Sequence, residues 1–579
     1  MQFYKYYKKL YIYAILDKEE IGENLERKWR KNMRDEFKPK VLSIFKDYSK
    51  EKFVKDVIAG VIVAIIALPL SIALALASGV SPEQGIYTAI LAGFVIALLG
   101  GSKVQISGPT AAFATIVAGI VATKGMSGLV AATILAGIIL ILMGLFHFGE
   151  LIKFIPYTIV TGFTSGIAVT IFIGQLKDFF GITFKNSPIE TMEKLKECIV
   201  NFSTMNVTAL VVGILAMAIL IIWPKFNAKI PPSLIAVIVT SAIVKIMNLN
   251  VNTIGSLYEI SNSLPTPHLP AISLDLVRNV FPDAFTIAIL AAIESLLSCV
   301  VADGMINDKH SPNMELVAQG AGNIVSGLFG GIPATGAIAR TAANIKNGGR
   351  SPISGMVHSI VLLLILVLLM PYAALIPMPA IAAILFMVAY NMCGWQEFVD
   401  LVKTAPKSDV FVLITTFVLT VVFDLVVAIE VGLLLAAILF LKRMADTVEV
   451  KGWTYVEEEE EGLMVVPKGT LVYEIKGPMF FAAADKFVQV TGDKDTRAVI
   501  IRMSGVPAMD VSALREMEEL RKRCVKKNVV LILSHVTGQP YQMMEKAGFL
   551  EKIGSKNICD NIELSIQRAN EVCRLHMKK

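Results

Sequence analysis

Charge is scarce in this 579-residue chain: 18% of its residues are Asp, Glu, Lys or Arg, while 55% are hydrophobic. That balance is too apolar for a soluble protein of this length and points to a membrane protein. Cysteine is scarce too, and Cys198, Cys299, Cys393, Cys524, Cys559 and Cys573 lie far apart with no CxxC pair. Neither a disulfide framework nor a zinc site is indicated. The six histidines are isolated and lack metal-ligand spacing, so no metal and no cofactor is expected. The opening residues, with Tyr4, Lys5, Lys8 and Lys9, lack the pattern of a secretory leader.

What is present is unevenly placed. Charges crowd before about residue 56 and after about residue 442, and the middle is a succession of apolar runs long enough to cross a bilayer. The net charge of +6 comes with Lys and Arg concentrated in the first 55 positions, beside a span. This is the signature of a cytoplasmic flank against a lipid bilayer, not of a nucleic-acid surface. The segment around WRKNMRDEF reads as a solvated or headgroup-facing helix. Seven apolar segments lie between Val57 and Met247 and seven more between Ala284 and Leu441. An even total puts both charged ends on the cytoplasmic side of the cell membrane.

The expected organisation is therefore a cytoplasmic region 1–55, a transmembrane domain 56–443 with repeats 56–250 and 283–443, a linker 444–462 holding the acidic run VEEEEEG, and a soluble α/β domain 463–579. In that last domain LMVVP, TLVYEIKG, AVIIRMSG and NVVLILSH read as strands, and SALREMEELRKRCVKK and QPYQMMEKAGF as helices.

Two segments are too short to span and open with chain-breaking residues: VQISGPTAAFATIVAG and GIPATGAIARTAANI. Each is third in its set of seven. Asp56 precedes Gly108, and Asp283 precedes Gly336, by about fifty residues. Short, Gly/Pro-interrupted spans at matching places mark an inverted-repeat transporter. Each reads as a short extended stretch followed by a half-helix that begins inside the membrane, where irregular backbone needs protein or a wet cavity around it. A helix N-terminus presents unpaired N–H groups and partial positive charge, so two facing ones frame an anion site. The backbone positions are Gly108, Pro109 and Thr110 in one half and Gly336, Ala337 and Ile338 in the other; the plain alternative is that these glycines only ease helix packing.

Three side chains add to the site. Glu294 lies deep in an apolar span, where a carboxylate marks binding or proton transfer. Ser298 is one turn on, and Arg340 lies one turn into the second half-helix, placed to project toward the same cavity. The competing role for Glu294 and Arg340 is an ion pair that locks the repeats together. Asp178, Asp424 and Glu430, near span ends, read as interfacial or structural, and His147 as an interfacial anchor.

These residues lead to a resemblance. ALPLSIALALASGVSPEQGIYTAI, GGSKVQISGPTAAF, FIPYTIVTGFTSGIAVTIFIGQL, AAIESLLSCVVADGM and GGIPATGAIARTAANI occur in the order found in the SulP anion transporters. The C-terminal part resembles that family's STAS domain, with IRMSGVPAMDVSAL in the place of its signature. IESLLSCVVADGM, SPISGMVHSIVLLL and KGPMFFAAADKF are most similar to the DauA-like dicarboxylate subgroup. The resemblance implies fourteen spans, a core (spans 1 to 4 and 8 to 11) moving against a gate, and a homodimer. It also places the substrate between spans 1, 3, 8 and 10, so that Leu70 and Leu74 face it. Glu294 takes an acidic position that is Asp in sodium-coupled bicarbonate members, and Ile338 replaces a Thr of that sodium site; this points to a proton over sodium. Ser512 matches a serine phosphorylated in bacterial anti-sigma-factor antagonists, the plain alternative being a helix N-cap.

The expected protein is thus a secondary transporter, not an enzyme, carrying a small anion (dicarboxylate, sulfate or bicarbonate) by proton-coupled symport, the alternative being a sodium-coupled bicarbonate or sulfate transporter. A cytoplasmic protein partner of the STAS domain is also expected. A nucleobase permease of the same architecture is the nearest rival, disfavoured by the STAS domain. An anion channel and a non-transporting membrane sensor are the rivals of a different class.

Overall fold

The computed structural model of the chain describes residues 37–46, 48–150, 155–186, 188, 190–227, 230–267, 273–423, 425–453, 466–483 and 495–577. Asp424, the acidic run VEEEEEG, most of the charged N-terminal region with WRKNMRDEF, the first residues of LMVVP and the end of KGPMFFAAADKF lie outside the described residues. The chain divides into two compact units, Met1–Leu433 and Leu434–Lys579.

The first repeat of the first unit runs α1 (Lys50–Ala77), α2 (Pro82–Leu99), β1 (Ser107–Gly108), α3 (Ala111–Leu145), α4 (Tyr157–Phe180), α5 (Thr191–Val200), α6 (Val207–Phe226) and α7 (Pro232–Ile246). The second runs α8 (Leu274–Ile306), α9 (Pro312–Leu328), β2 (Thr335–Gly336), α10 (Ile338–Lys346), α11 (Pro352–Ala373), α12 (Met378–Cys393), α13 (Trp395–Thr404), α14 (Lys407–Val422) and α15 (Leu425–Asp446). All fourteen expected segments appear as helix. Among the described residues, eight helices are long and apolar enough to cross a membrane. The starts follow local chemistry: Ser49 and Ser273 cap α1 and α8 through their side chains, and Pro82, Pro232, Pro312 and Pro352 open helices where a missing N–H costs nothing.

α3 holds two expected spans, two helices joined at a kink. Gly125 bends it, with φ 67° and ψ −174°, a conformation essentially reserved for glycine. The segment from Ala111 to Lys124 is thus a half-helix, as is α10. Their preceding strands pair antiparallel, Ser107 opposite Gly336 and Gly108 opposite Thr335, so the two repeats meet at the start of both half-helices. The sequence reading missed α5 and α13, short amphipathic helices at matching places of the two repeats.

Packing sorts the helices into two groups. α1, α2, α3, α8, α9, α10 and α11 pack on one another, and α4, α6, α7, α12 and α14 form the second group. α1 reaches from the first group to α7 and α12. Close contact inside the first group depends on small residues: a Cβ on Gly137 of α3 would lie 2.6 Å from the Gly320 carbonyl of α9.

The second unit is a five-stranded sheet in the order β3 (Glu449–Trp453), β4 (Thr470–Lys476), β5 (Ala498–Gly505), β6 (Val530–Ser534) and β7 (Ile558–Cys559). β4 to β7 run parallel, and β3 joins antiparallel at the edge. The residues expected to be a linker, 444–462, therefore include the end of α15 and an edge strand. Both sheet faces are covered, which is why β5 opens with four consecutive buried apolar residues, Ala498 to Ile501. Val499, Ile501 and Met503 pack with Met517 and Leu520 of α16 (Val511–Lys526). Ile500 and Ile532 pack with Ile566 and Val572 of α17 (Ile562–Met577).

Candidate functional site

The two half-helices start a few residues from the β1–β2 pair, and the side chains around them divide into a solvent-reached set and a buried set. Ile338, 40% exposed, and Ala339 open α10 facing accessible space. Thr110, Glu294 and Leu70 are partly exposed. Leu74, Gly108, Pro109, Gly336 and Ala337 are buried. α1, α3, α8 and α10 pack on one another, so these partly exposed residues gather where the four helices meet.

Thr110 is the N-cap residue of α3, and its hydroxyl donates to Glu294 Oε2 at 2.9 Å, joining the two repeats. Arg340 does not project into the open space, as the sequence reading expected. It is 2% exposed and lies back across Gly108, with Nη2 donating to the Pro109 carbonyl at 2.8 Å. Its Nε and Nη1 have no hydrogen-bond partner among the described residues. The Glu294–Arg340 ion pair weighed as an alternative is not formed, and each group stands near the start of one half-helix.

Some expected donors are already engaged. Pro109 has no N–H. The Gly336 N–H donates to Ser295 Oγ (3.1 Å) and the Ala337 N–H to the Ile106 carbonyl (2.9 Å). The N–H groups left without intrahelical partners are those of the first turns, at Ala111 and Ala112 and at Ile338 and Ala339. Ser298, expected beside Glu294, is fully buried and bonds Thr341 Oγ1 at 3.4 Å, so it braces α10 against α8.

A buried polar network that the sequence reading missed holds the strands in place. Glu315, fully buried on α9, accepts from Gln105 Nε2 (2.8 Å), Gln319 Nε2 (2.9 Å) and the N–H groups of Gly101 (2.9 Å) and Ser102 (3.2 Å). Gln319 also donates to Ser107 Oγ, and Asn323 exchanges hydrogen bonds with the Ala334 backbone. Glu315, Gln319 and Asn323 recur every four residues, a polar stripe on one helix face that was readable as a signal. Buried strand ends inside a membrane need such partners.

Elsewhere, Asp178 ends α4 and Glu430 is exposed on α15, both outside the half-helix group. His147 has a left-handed backbone (φ 63°) and sets its ring edge-on to Phe37. In the second unit Asp510, not Ser512, is the N-cap of α16, accepting from the Ala513 N–H at 2.8 Å. The N-cap role for Ser512 is therefore ruled out. Ser512 is exposed in the first helical turn.

Inverted repeats with paired half-helices that meet over a buried cation define a membrane transporter of the core-and-gate kind. A model described as the Sulfate permease family matches residues 53–416, and a STAS domain model matches residues 463–569. YvdB of Bacillus subtilis, designated but not established as a sulfate transporter, is 39% identical over 89% of this chain and 98% of its own length. The bicarbonate transporter BicA of Picosynechococcus is 30% identical over 86% of this chain and 91% of its own. The solved transmembrane domain of a cyanobacterial BicA covers 67% of this chain and is itself 98% covered, with a TM-score of 0.59 and 31% identity. SLC26A9 shares the fold, at a TM-score of 0.84 and 18% identity, over 97% of this chain and 98% of its own. The chain belongs to the sulfate permease family, with a C-terminal STAS domain. It is an anion transporter and not an enzyme.

Proposed function

We propose that the protein is a proton-coupled symporter of a small oxyanion, of the sulfate, bicarbonate or four-carbon dicarboxylate class, working by movement of the α1–α3 and α8–α11 group against the gate helices. One observation carries the reading. Arg340 is a buried cation with no carboxylate paired to it, set between two half-helix starts whose dipoles add to its field. A buried charge without a partner is costly, and a bound anion supplies the missing counter-charge. The anion would sit against the N–H groups of Ala111, Ala112, Ile338 and Ala339, with Leu70 as apolar wall. Glu294, held by Thr110 on the cavity side, is the group that takes up the coupling proton and so avoids repelling the anion.

The substrate and the coupling ion are tested together by uptake into proteoliposomes of labelled sulfate, bicarbonate and succinate, each with and without a pH or sodium gradient. Glu294→Gln fixes the protonated form: it should still bind and exchange anion but lose accumulation driven by a proton gradient. Full proton-driven accumulation in that variant sinks the assignment, and accumulation driven by sodium alone replaces the proton with sodium.

The same reading pairs two chains and places both chain ends in the cytoplasm, which crosslinking in membranes and a reporter fused after residue 579 would check. The exposed Ser512 is the proposed regulatory point of the STAS domain and of its protein partner. Ser512→Asp should change transport while Ser512→Ala does not; equal rates in the two variants remove that role.

A further inference from the structure

Each repeat ties down the far end of the other repeat's half-helix, by the same plan and with different chemistry. Asp56, near the start of α1 and 1% exposed, accepts from the N–H groups of Arg350 (2.7 Å) and Ser351 (3.2 Å), from the Ser351 hydroxyl (2.5 Å) and from the Tyr48 hydroxyl (2.7 Å). Arg350 and Ser351 lie in the turn from α10 to α11: three residues separate Arg350 from Lys346, Ser351 is the N-cap of α11, and Arg350 Nη1 donates back to the Ile345 carbonyl of α10 at 2.7 Å. Asp283, near the start of α8, faces Lys124 Nζ at 2.5 Å, and Lys124 ends the half-helix of α3 just before Gly125. The two aspartates are equivalent by position. Each precedes a serine of its own helix, Ser71 or Ser298, by the same interval, and each precedes the glycine of its repeat's short strand by about fifty residues.

The two ties differ in how readily they open. Asp56 is a buried carboxylate whose partners are neutral, two of them backbone N–H groups; releasing it strands a buried charge. The Lys124–Asp283 pair joins side chains that are 20% and 26% exposed, and Lys124 is further held by the Asn279 carbonyl at 2.6 Å. Such a pair opens at modest cost and weakens as salt screens it. The glycine hinge beside it gives the half-helix somewhere to go.

We propose that Lys124 and Asp283 are positioning residues for anion binding. Their pair sets the depth at which the half-helix of the first repeat meets the anion, while Asp56 holds α10 as the fixed side. The inference rests on the anion lying between the half-helix starts. If Arg340→Ala leaves affinity unchanged, that placement fails; if Arg340 matters and the pair does not, only this inference fails.

The test uses the full chain in liposomes and whichever of labelled sulfate, bicarbonate and succinate the wild-type protein takes up. Lys124→Met and Asp283→Asn should each raise KM roughly two- to five-fold, the range open to a partly exposed ion pair, with a normal yield of folded protein. The reciprocal swap, Lys124→Asp with Asp283→Lys, should restore most of the affinity. Adding a salt that is not transported should raise KM in the wild type more than in Lys124→Met. Asp56→Asn should lower folded yield instead. Wild-type KM in both single variants, or a swap that rescues nothing, overturns the proposal; a KM shift with normal yield in Asp56→Asn overturns the division between fixed and adjustable sides.

Discussion

The two half-helices are equivalent in fold and unequal in chemistry. Both begin at the same antiparallel contact, Ser107–Gly108 against Thr335–Gly336, and both leave first-turn N–H groups without intrahelical partners there. Yet the buried cation and the cavity carboxylate, Arg340 and Glu294, both come from the second repeat. The first contributes a hydroxyl, from Thr110, and a carbonyl, from Pro109, that hold those two groups. Repetition thus supplies a symmetric scaffold with two dipole ends, and the two ionisable side chains nearest them come from one repeat only.

The largest effect should follow from removing the charge. Arg340→Ala should raise the KM for anion by about ten- to a hundred-fold, roughly 1.4 to 2.8 kcal/mol, because the unpaired cation goes while both dipole ends remain. Folding should suffer less, since the guanidinium makes a single hydrogen bond to protein, and Arg340→Lys should recover part of the loss. KM and folded yield, measured on the same preparations, check both. Near-normal KM in Arg340→Ala would mean that the dipoles alone bind the anion, and the asymmetry would be decorative.

Much of this was legible before the structure because membrane physics leaves few choices. Apolar run lengths gave the helices, and the Gly/Pro interruptions at matching places gave both half-helices, since backbone breaks at that depth only where protein or a wet cavity surrounds it. What stayed hidden depended on side-chain direction. Nothing in the string tells whether Arg340 points into the cavity or back under Gly108, or whether Ser298 joins Glu294 or Thr341. The Glu315 network stayed hidden for another reason: its polar stripe lies on α9, a shorter and less apolar helix on which one carboxylate does not stand out. In the second unit β3 falls within the expected linker because a five-residue edge strand carrying Glu449 and Lys451 lacks the apolar run of the buried strands.

The smallest expected effect sharpens the comparison most, because it makes the same change at the two equivalent glycines. A Cβ on Gly108 would lie 2.6 Å from Arg340 Nη1, and one on Gly336 would lie 2.3 Å from Gln105 Nε2. Both substitutions must displace a side chain, but different ones. Gly108→Ala pushes the guanidinium, so it should raise KM a few-fold, about 1 kcal/mol, with little loss of folded protein. Gly336→Ala pushes Gln105 away from Glu315 and leaves a buried carboxylate oxygen short of a donor, at a cost of about 1–3 kcal/mol in stability. It should therefore lower the melting temperature and folded yield more than it changes KM. Measuring KM and melting temperature for the two variants separates a glycine that makes room for the charge from a glycine that makes room for the scaffold. If the two variants shift both quantities alike, the half-helices are functionally equivalent and the division of labour between the repeats is lost.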